Sequence, residues 1–484
     1  DTLWDEWLPG TELRKGEGKK KPGPKPKASD KTHLKVLVLD LYVAWTEDPE
    51  LSIGVHMSRN EYKAGSRYNA IHVSSRMIDV IKVLKEVGLI DLAPGFHVKD
   101  GAKSGRLTRI RASERLQAMF LEAKFTWEDV TLAEKEIIIL KSKGEKVDNA
   151  SKGGKRLEYE DTALTRDMRK QLREYNTLVS SHFIDIPSLD EPRIQPNPDD
   201  HKNIVRIGLR YSLSHRVFNR GSWEMGGRYY GGWWQRTNEK KRAQIAINNE
   251  PTVEVDFKGL HVAMLYAEAG LEMEHDPYDI QGEMLELYGE SLRPMVKRLA
   301  LTAINAKDQK SAYLAFRDGF PTGDPAKNMT NDMLNELLEA FLCRNPPLRD
   351  AVFSDQGIRL MYKDSLITSS ILGFFTLKGI PVLSVHDSYI IDHWHVDELR
   401  DVMAHASRAT TGFELPTAIK LPDRPEYSDV SSEDLRQYVD VTRRIEPSAG
   451  YIARMKAFEL RTGRSISPPL WSEAELLAIH NGEW

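Results

Sequence analysis

Leu34, Leu37 and Leu41 recur at helical intervals behind Ser29-Asp30, a cap sequence, and predict a helix from about residue 30. A second short helix is predicted over roughly 60–70. The third is the clearest. Ser74 or Ser75 caps it, Met77, Val80, Ile81 and Leu84 stand at i, i+3, i+4 and i+7, and Gly88 stops it. Leu89-Ile90-Asp91-Leu92 then predicts a strand, 93–105 a turn-rich connection, and Arg106-Leu107-Thr108-Arg109-Ile110-Arg111 a returning strand. Further on the pattern predicts helix over 112–124, strand over 135–141, a Gly/Lys/Asp loop over 143–155 and a long amphipathic helix over 162–180. The stretch 194–198 reads as a linker. Alternation returns at 251–257, where Val253 and Val255 point one way and Glu254 and Asp256 the other. An apolar helix follows, then another helix over 291–305 with Pro294 tolerated in its first turn. Residues 381–391 form an apolar hairpin with a His386-Asp387-Ser388 tip. After about residue 422 the chain is polar and proline-punctuated, with Trp471 and Trp484 as residues that could dock.

A chain of 484 residues implies two or three domains. No run of about 18 apolar residues occurs, so no membrane span is expected, and no secretory signal opens the chain. The single cysteine, Cys343, excludes a disulfide framework and a Cys-rich zinc site and fits a reducing cytoplasm, of a bacterium or a phage-infected cell. Net charge is only −4, but residues 14–27 carry seven positive charges and one negative. That Pro/Gly-broken run reads as a disordered arm, either a phosphate-binding one or a solvated linker.

Three helices followed by a basic hairpin is the order of a winged helix. Arg106, Arg109 and Arg111 are read as one cationic face, with Lys99 and Lys103 at the tip. The segment resembles the winged helix-turn-helix modules of plasmid replication initiators and regulators. That resemblance implies that residues 74–87 enter a major groove while the wing follows the backbone.

Candidate chemistry is concentrated between residues 215 and 392. The segment 223–235 is rich in glycine and aromatics, which suggests close backbone approach to a ligand; Arg228 adds charge, and Tyr229, Tyr230, Trp233 and Trp234 add stacking faces. Asp256 ends a strand, placed at a sheet edge where a helix begins. Arg293, Lys297, Leu301 and Asn305 step by four along one helix face, and two cations a turn apart suit a polyphosphate. Asp387 tips the hairpin, where a desolvated acid needs a hydrogen bond or a cation. Two strand-borne aspartates suit a two-metal phosphoryl-transfer site.

In this order the motifs resemble the single-subunit polymerase superfamily, which joins family A DNA polymerases and phage-type RNA polymerases. Glu224-x-x-Gly227-Arg228 is similar to its template-and-primer-holding motif, Asp256 to the motif A aspartate, Arg293-x-x-x-Lys297 to the motif B helix, and His386-Asp387 to motif C. Met361–Ser365 with the helix after it resembles the penultimate palm segment. The resemblance implies an α+β chain. A basic arm (1–29) would lead a winged helix (30–112), a helical, thumb-like linker (113–200), a right-hand palm and fingers (201–422) and a tail (423–484). It further implies DNA template and primer and nucleoside triphosphates as partners, with no membrane and with a small helper protein allowed. Asp256 and Asp387 would hold two Mg2+, with Mn2+ as substitute. Arg293 and Lys297 would bind phosphates, His386 the primer end, Arg228, Gly227, Glu224 and Gln235 the nucleic acid, and His261, Leu301 and Asn305 the nucleotide.

The sugar is where the chain departs from this family. His261 stands where family A DNA polymerases place a blocking glutamate, Asn305-Ala306 where Tyr-Gly is usual, and Ser388 follows Asp387 as in the RNA polymerases. The compact spacings from Arg228 to Asp256 (28), to Arg293 (37) and to Asp387 (94) are closer to the DNA branch. The expectation is a DNA polymerase, self-priming in the style of mobile-element primase-polymerases. A minimal RNA polymerase and a replication initiator with an inactive palm are the alternatives.

Overall fold

The computed structural model describes residues 28–96, 105–123, 130, 133–147, 150–195, 203–421, 431–443 and 445–466. The basic run at 14–27, Lys99 and Lys103, residues 196–198 of the expected linker, and Trp471 and Trp484 lie outside them. Helices and small, mostly antiparallel sheets make the protein α+β. It divides into two compact units. One runs to Glu136 and takes in Gly144–Gly153; the other comprises Ile137–Lys143 and the chain from Gly154 onward. Among the described residues no helix is long and apolar enough to cross a membrane.

The first unit opens with α1 (Asp30–Glu47), where Ser29 Oγ accepts from Thr32 N at 3.1 Å. β1 (Ile53–Val55) was not legible in the pattern. The helix expected over 60–70 is only a 3-10 turn, Arg59–Glu61, followed by tight turns. That stretch has no apolar stripe, and Asn69 braces the loop by accepting from Val73 N (3.0 Å) and donating to Val73 O (2.8 Å). α2 (Arg76–Glu86) buries Met77, Val80, Ile81 and Leu84 as spaced. Ser75 makes no capping bond. Ser74 is held instead by His33, whose Nε2 accepts from Ser74 N at 2.9 Å while Nδ1 donates to Ser29 O at 2.7 Å.

β2 (Ile90–Ala93) and β3 (Thr108–Ala112) complete an antiparallel sheet of order β1-β3-β2, and α3 (Glu114–Glu122) closes the core. The cationic wing face needs correction. Ile110 and Ala112 face the core, so Arg109 and Arg111 face away from it. Arg106 bridges Phe96 in the same register, which places it by parity on the Ile110 side. Arg111 is neutralised by Glu50 and by Asp91, 3.0 Å away. Part of the expected 143–155 loop is a hairpin, Glu145–Val147 with Ala150–Lys152.

In the second unit β4 (Ile138–Leu140), shorter than predicted, runs parallel to β6 (His215–Phe218), and β6 pairs antiparallel with β7 (Gly226–Tyr230). Between them lie α4 (Ala163–Ser180), opened by a Thr162/Thr165 capping box, and β5 (Ile184–Asp185). β8 (Ala246–Ile247) turns into β9 (Glu250–Phe257), the spine of the central sheet. Next come α5 (Leu260–Glu268), α6 (Leu292–Asn305) and α7 (Gly357–Lys378), with helices Gln309–Asp318 and Asn331–Arg344 packed on α6. The apolar hairpin is β10 (Leu383–Val385) and β11 (Ser388–Asp392), followed by α8 (Val396–Thr411) and β12 (Thr417–Lys420). The sheet order is β10-β11-β9-β8-β5, with β12 also on β9.

The tail is more structured than its polarity suggested. Helices Ser432–Arg443 and Ala449–Thr462 form, and Tyr451, Met455 and Phe458 pack on Phe183. Arg454 Nε meets the buried Asp185 at 2.7 Å.

Candidate active site

Two aspartates are brought together by strand register. Asp256 sits directly opposite Ser388, and Phe257 N donates to Asp387 O at 3.2 Å. β9 has partners on both sides, β11 and β12, so Asp256 lies inside the sheet and not at an edge. The turn between β10 and β11 holds His386 at φ +59°, a region that L-residues rarely enter and that tends to be retained at functional sites. His386 is kept below the usual imidazole range, by desolvation first and by the Arg228 charge second.

Asp256 Oδ2 accepts from Lys420 Nζ at 2.9 Å, whereas Oδ1 is buried and has no hydrogen-bond partner among the described residues. Burial, then the nearby Asp387 charge, push its carboxyl up to about 7. Glu254, two residues back, is satisfied. Burial alone would raise it, but a fork from Arg242 (Nε–Oε2 2.8 Å, Nη2–Oε1 3.0 Å) and Ser388 Oγ (2.6 Å) hold it below the usual carboxylate range.

Across a cleft of about 500 Å³ stands α6, whose Arg293, Lys297, Leu301 and Asn305 all line the wall, as their spacing predicted. Arg293 pairs with Asp276 at 2.7 Å. Its guanidinium lies 6.0 Å from the Tyr278 ring, and Lys297 Nζ lies 5.9 Å from the same ring. Lys297 makes no ion pair among the described residues. This cleft falls within the size range of small-molecule sites. A larger cavity of about 860 Å³ adjoins it through Lys258, Met273, Glu274 and Pro416, but in its wall the acids Glu272, Glu274, Asp397, Asp401 and Glu414 outnumber the bases Lys258, Arg400 and Arg408. An anionic substrate is better served by the smaller one.

Arg228 reaches the cleft from β7. It pairs with the fully buried Asp364 of α7, and its Nη2 donates to His261 Nε2 at 3.3 Å. Burial pushes Asp364 up to about 7 against the pull of Arg228. His261 is held near 4 by burial and by Arg228, so it is neutral at pH 7 and can accept that bond.

The rest of the Gly/aromatic segment serves packing. Gly227 has φ +85°, and a Cβ there would lie 2.7 Å from Phe218 Cε1 and 2.8 Å from Ser365 Oγ. Its close approach is therefore to the protein itself, and its carbonyl accepts from the buried Arg216 at 2.8 Å. Trp233, Trp234 and Tyr229 are buried and offer no stacking face; Tyr230 is half-buried. Gln235 is occupied internally, donating to Tyr229 O (3.1 Å) and Ser384 O (3.0 Å) and accepting from Gly231 N (3.2 Å). Glu224 is exposed on the turn before β7.

Three residues were missed. Asp364 lies in a segment noted for its resemblance, but nothing there announced Arg228 as its partner. Tyr278 and Lys420 carry no motif, and only β12 pairing with β9 brings Lys420 to Asp256.

Among the described residues no group of three or more His, Cys, Asp or Glu is placed to hold a metal ion. The aspartate pair nevertheless fits a hard divalent cation. Asp256 Oδ1 is a buried oxygen with no partner among the described residues, and Mg2+ commonly takes one or two carboxylates and completes its shell from phosphate and water. No known protein-family model matches this sequence, and no curated protein matches it.

Proposed function

We propose that the second unit is a DNA-templated nucleotidyltransferase of the right-hand polymerase type, and that the first is its winged-helix DNA-binding module. The observation that carries the reading is the pairing of Asp256 on β9 with Asp387 in the β10–β11 turn beside it, lining one cleft with α6, whose Lys297 has no ion-pair partner among the described residues. In this reading the central sheet is the palm, and α6 with its packed helices is the fingers. Asp256 and Asp387 would hold two Mg2+, for which Mn2+ can substitute. Bound there, the ions would acidify the primer hydroxyl and neutralise the developing pyrophosphate charge.

The chain's own groups do the rest. Lys297 binds the triphosphate and can donate a proton to the leaving pyrophosphate. Arg293 exchanges Asp276 for phosphate. Arg228, braced by Asp364, contacts the nucleic-acid backbone, and His386 positions the primer end. Phosphate contacts by the first unit rest on Arg106 and Arg109, since Arg111 is already paired.

The test is primer extension on a DNA template with dNTPs. Asp387→Asn should cut incorporation by roughly 10³-fold, the equivalent of several kcal/mol of charge stabilisation, and leave DNA binding intact. Unchanged incorporation would exclude the site. A second reading, RNA polymerase, is favoured by one observation: the His261 position presents a neutral imidazole tied to Arg228 in place of the glutamate that would block a ribose hydroxyl. Incorporation of NTPs alone, without a primer, would select it.

A further inference from the structure

Lys420 stands directly opposite Glu254 in the β9–β12 pair, and a cross-strand bond to Glu254 would be the ordinary reason for a lysine there. The geometry is different. Glu254 already takes both nitrogens of the Arg242 fork and the Ser388 hydroxyl, and Lys420 Nζ is 3.7 Å from it. The amine reaches past Glu254 to Asp256 Oδ2, at 2.9 Å. It is only one-fifth exposed, so its charge is poorly screened. Asp256 Oδ1 stays buried and has no partner among the described residues.

We propose that Lys420 is the resident counter-ion of the aspartate pair, holding one Asp256 oxygen while no divalent cation is bound and ceding it when one arrives, so that it sets the cation affinity of the centre. This rests on the nucleotidyl-transfer reading. Its chemical consequence is competition. Without Lys420 the two aspartates would repel each other in the empty centre; with it they are partly neutralised and a cation must displace an ammonium group. The centre is therefore kept intact but weakly loaded until a nucleotide brings its own metal-binding phosphates.

The experiment is Mn2+ binding without nucleotide at pH 8.5, followed by electron paramagnetic resonance, on wild type, Lys420→Met, Lys420→Gln, Lys420→Arg and Asp387→Asn. A unit charge a few ångströms from a divalent cation is worth about tenfold in affinity even at water-like dielectric. Lys420→Met and Lys420→Gln should bind Mn2+ about tenfold more tightly than wild type, and Lys420→Arg about as wild type. In the unaltered protein, Mg2+ should speed labelling of the Lys420 amine by an amine-directed reagent, read by mass spectrometry. If Asp387→Asn loses Mn2+ but the Lys420 variants bind no more tightly than wild type, or if Mg2+ leaves labelling unchanged, the counter-ion role falls and the nucleotidyl-transfer reading stands. If Lys420→Met, the variant expected to bind most tightly, binds no more Mn2+ than Asp387→Asn, both fall.

Discussion

Gly227→Ala separates two explanations of the glycine beside Arg228, packing and ligand approach. The backbone at 227 has φ +85°, where an L-residue costs about 1–2 kcal/mol. The new methyl would also sit 2.7 Å from Phe218 Cε1 and 2.8 Å from Ser365 Oγ. Neither neighbour can retreat. Phe218 is fully buried, with the Arg216 guanidinium 5.0 Å from its ring and Trp223 edge-on at 5.1 Å. Ser365 Oγ donates to Tyr362 O at 2.8 Å and accepts from Arg216 at 3.2 Å. Overpacking of this kind costs about 1–3 kcal/mol. Together the two effects predict a loss of about 2–5 kcal/mol. Two units preclude a single two-state transition, so the loss should be read locally, from hydrogen exchange of the Gly226–Tyr230 amides across guanidinium concentrations. A loss below about 1 kcal/mol, accompanied by weaker DNA binding, would show that the space belongs to a ligand and refute the packing argument.

Arg228→Met should strand the buried Asp364 carboxylate and cost about 3–5 kcal/mol. Because Asp364 titrates near 7, thermal melts should show a smaller loss at pH 5 than at pH 8, where the acid must be buried charged. His33→Ala removes bonds to Ser29 O and Ser74 N, with an expected cost of about 1–3 kcal/mol and faster exchange of the Ser74 amide; unchanged exchange would show that the imidazole does not brace α2. His395 is raised by its hydrogen bond to Asp392, which outweighs desolvation, so its contribution is full below about pH 6.5 and fades as pH rises through the folded value. Comparing melts of wild type and His395→Gln at pH 5.5 and 8.5 should show the difference at the lower pH only.

Where a single element buries its own face, the sequence was legible. The α2 stripe and the α6 face each depend on one local period and formed as spaced; β9 formed where its alternation predicted a strand, but it is buried on both faces. Elements whose stability comes from elsewhere were not. β1 has three residues and exists because β3 offers it a ladder. The tail helix Ala449–Thr462 carries the apolar residues Tyr451, Met455 and Phe458, but what fixes it is remote in sequence: Phe183 on its apolar side and Asp185 as partner of Arg454. Conversely, 60–70 had helix-compatible letters but no face to bury, and its backbone is satisfied by Asn69 and turns.

The same distinction governs the candidate site. Spacing along one strand or helix placed Asp256, Asp387, Lys297 and Arg293 around one cleft. What each of them touches depends on residues remote in sequence, and there the reading from letters failed. Arg293 and Arg111 looked free and are paired; Gln235 and Trp234 looked available and are bound to Ser384 O. A charged or aromatic side chain in a motif is as often committed to its own protein as to a ligand, because burying it unpaired costs more than a surface contact gains. By that measure the groups that remain informative are the uncommitted ones. Lys297 has no acid partner among the described residues, and Asp256 Oδ1 has no donor. Both residues line the same cleft, one wanting an anion and the other a cation, and a metal-bound triphosphate would satisfy both at once.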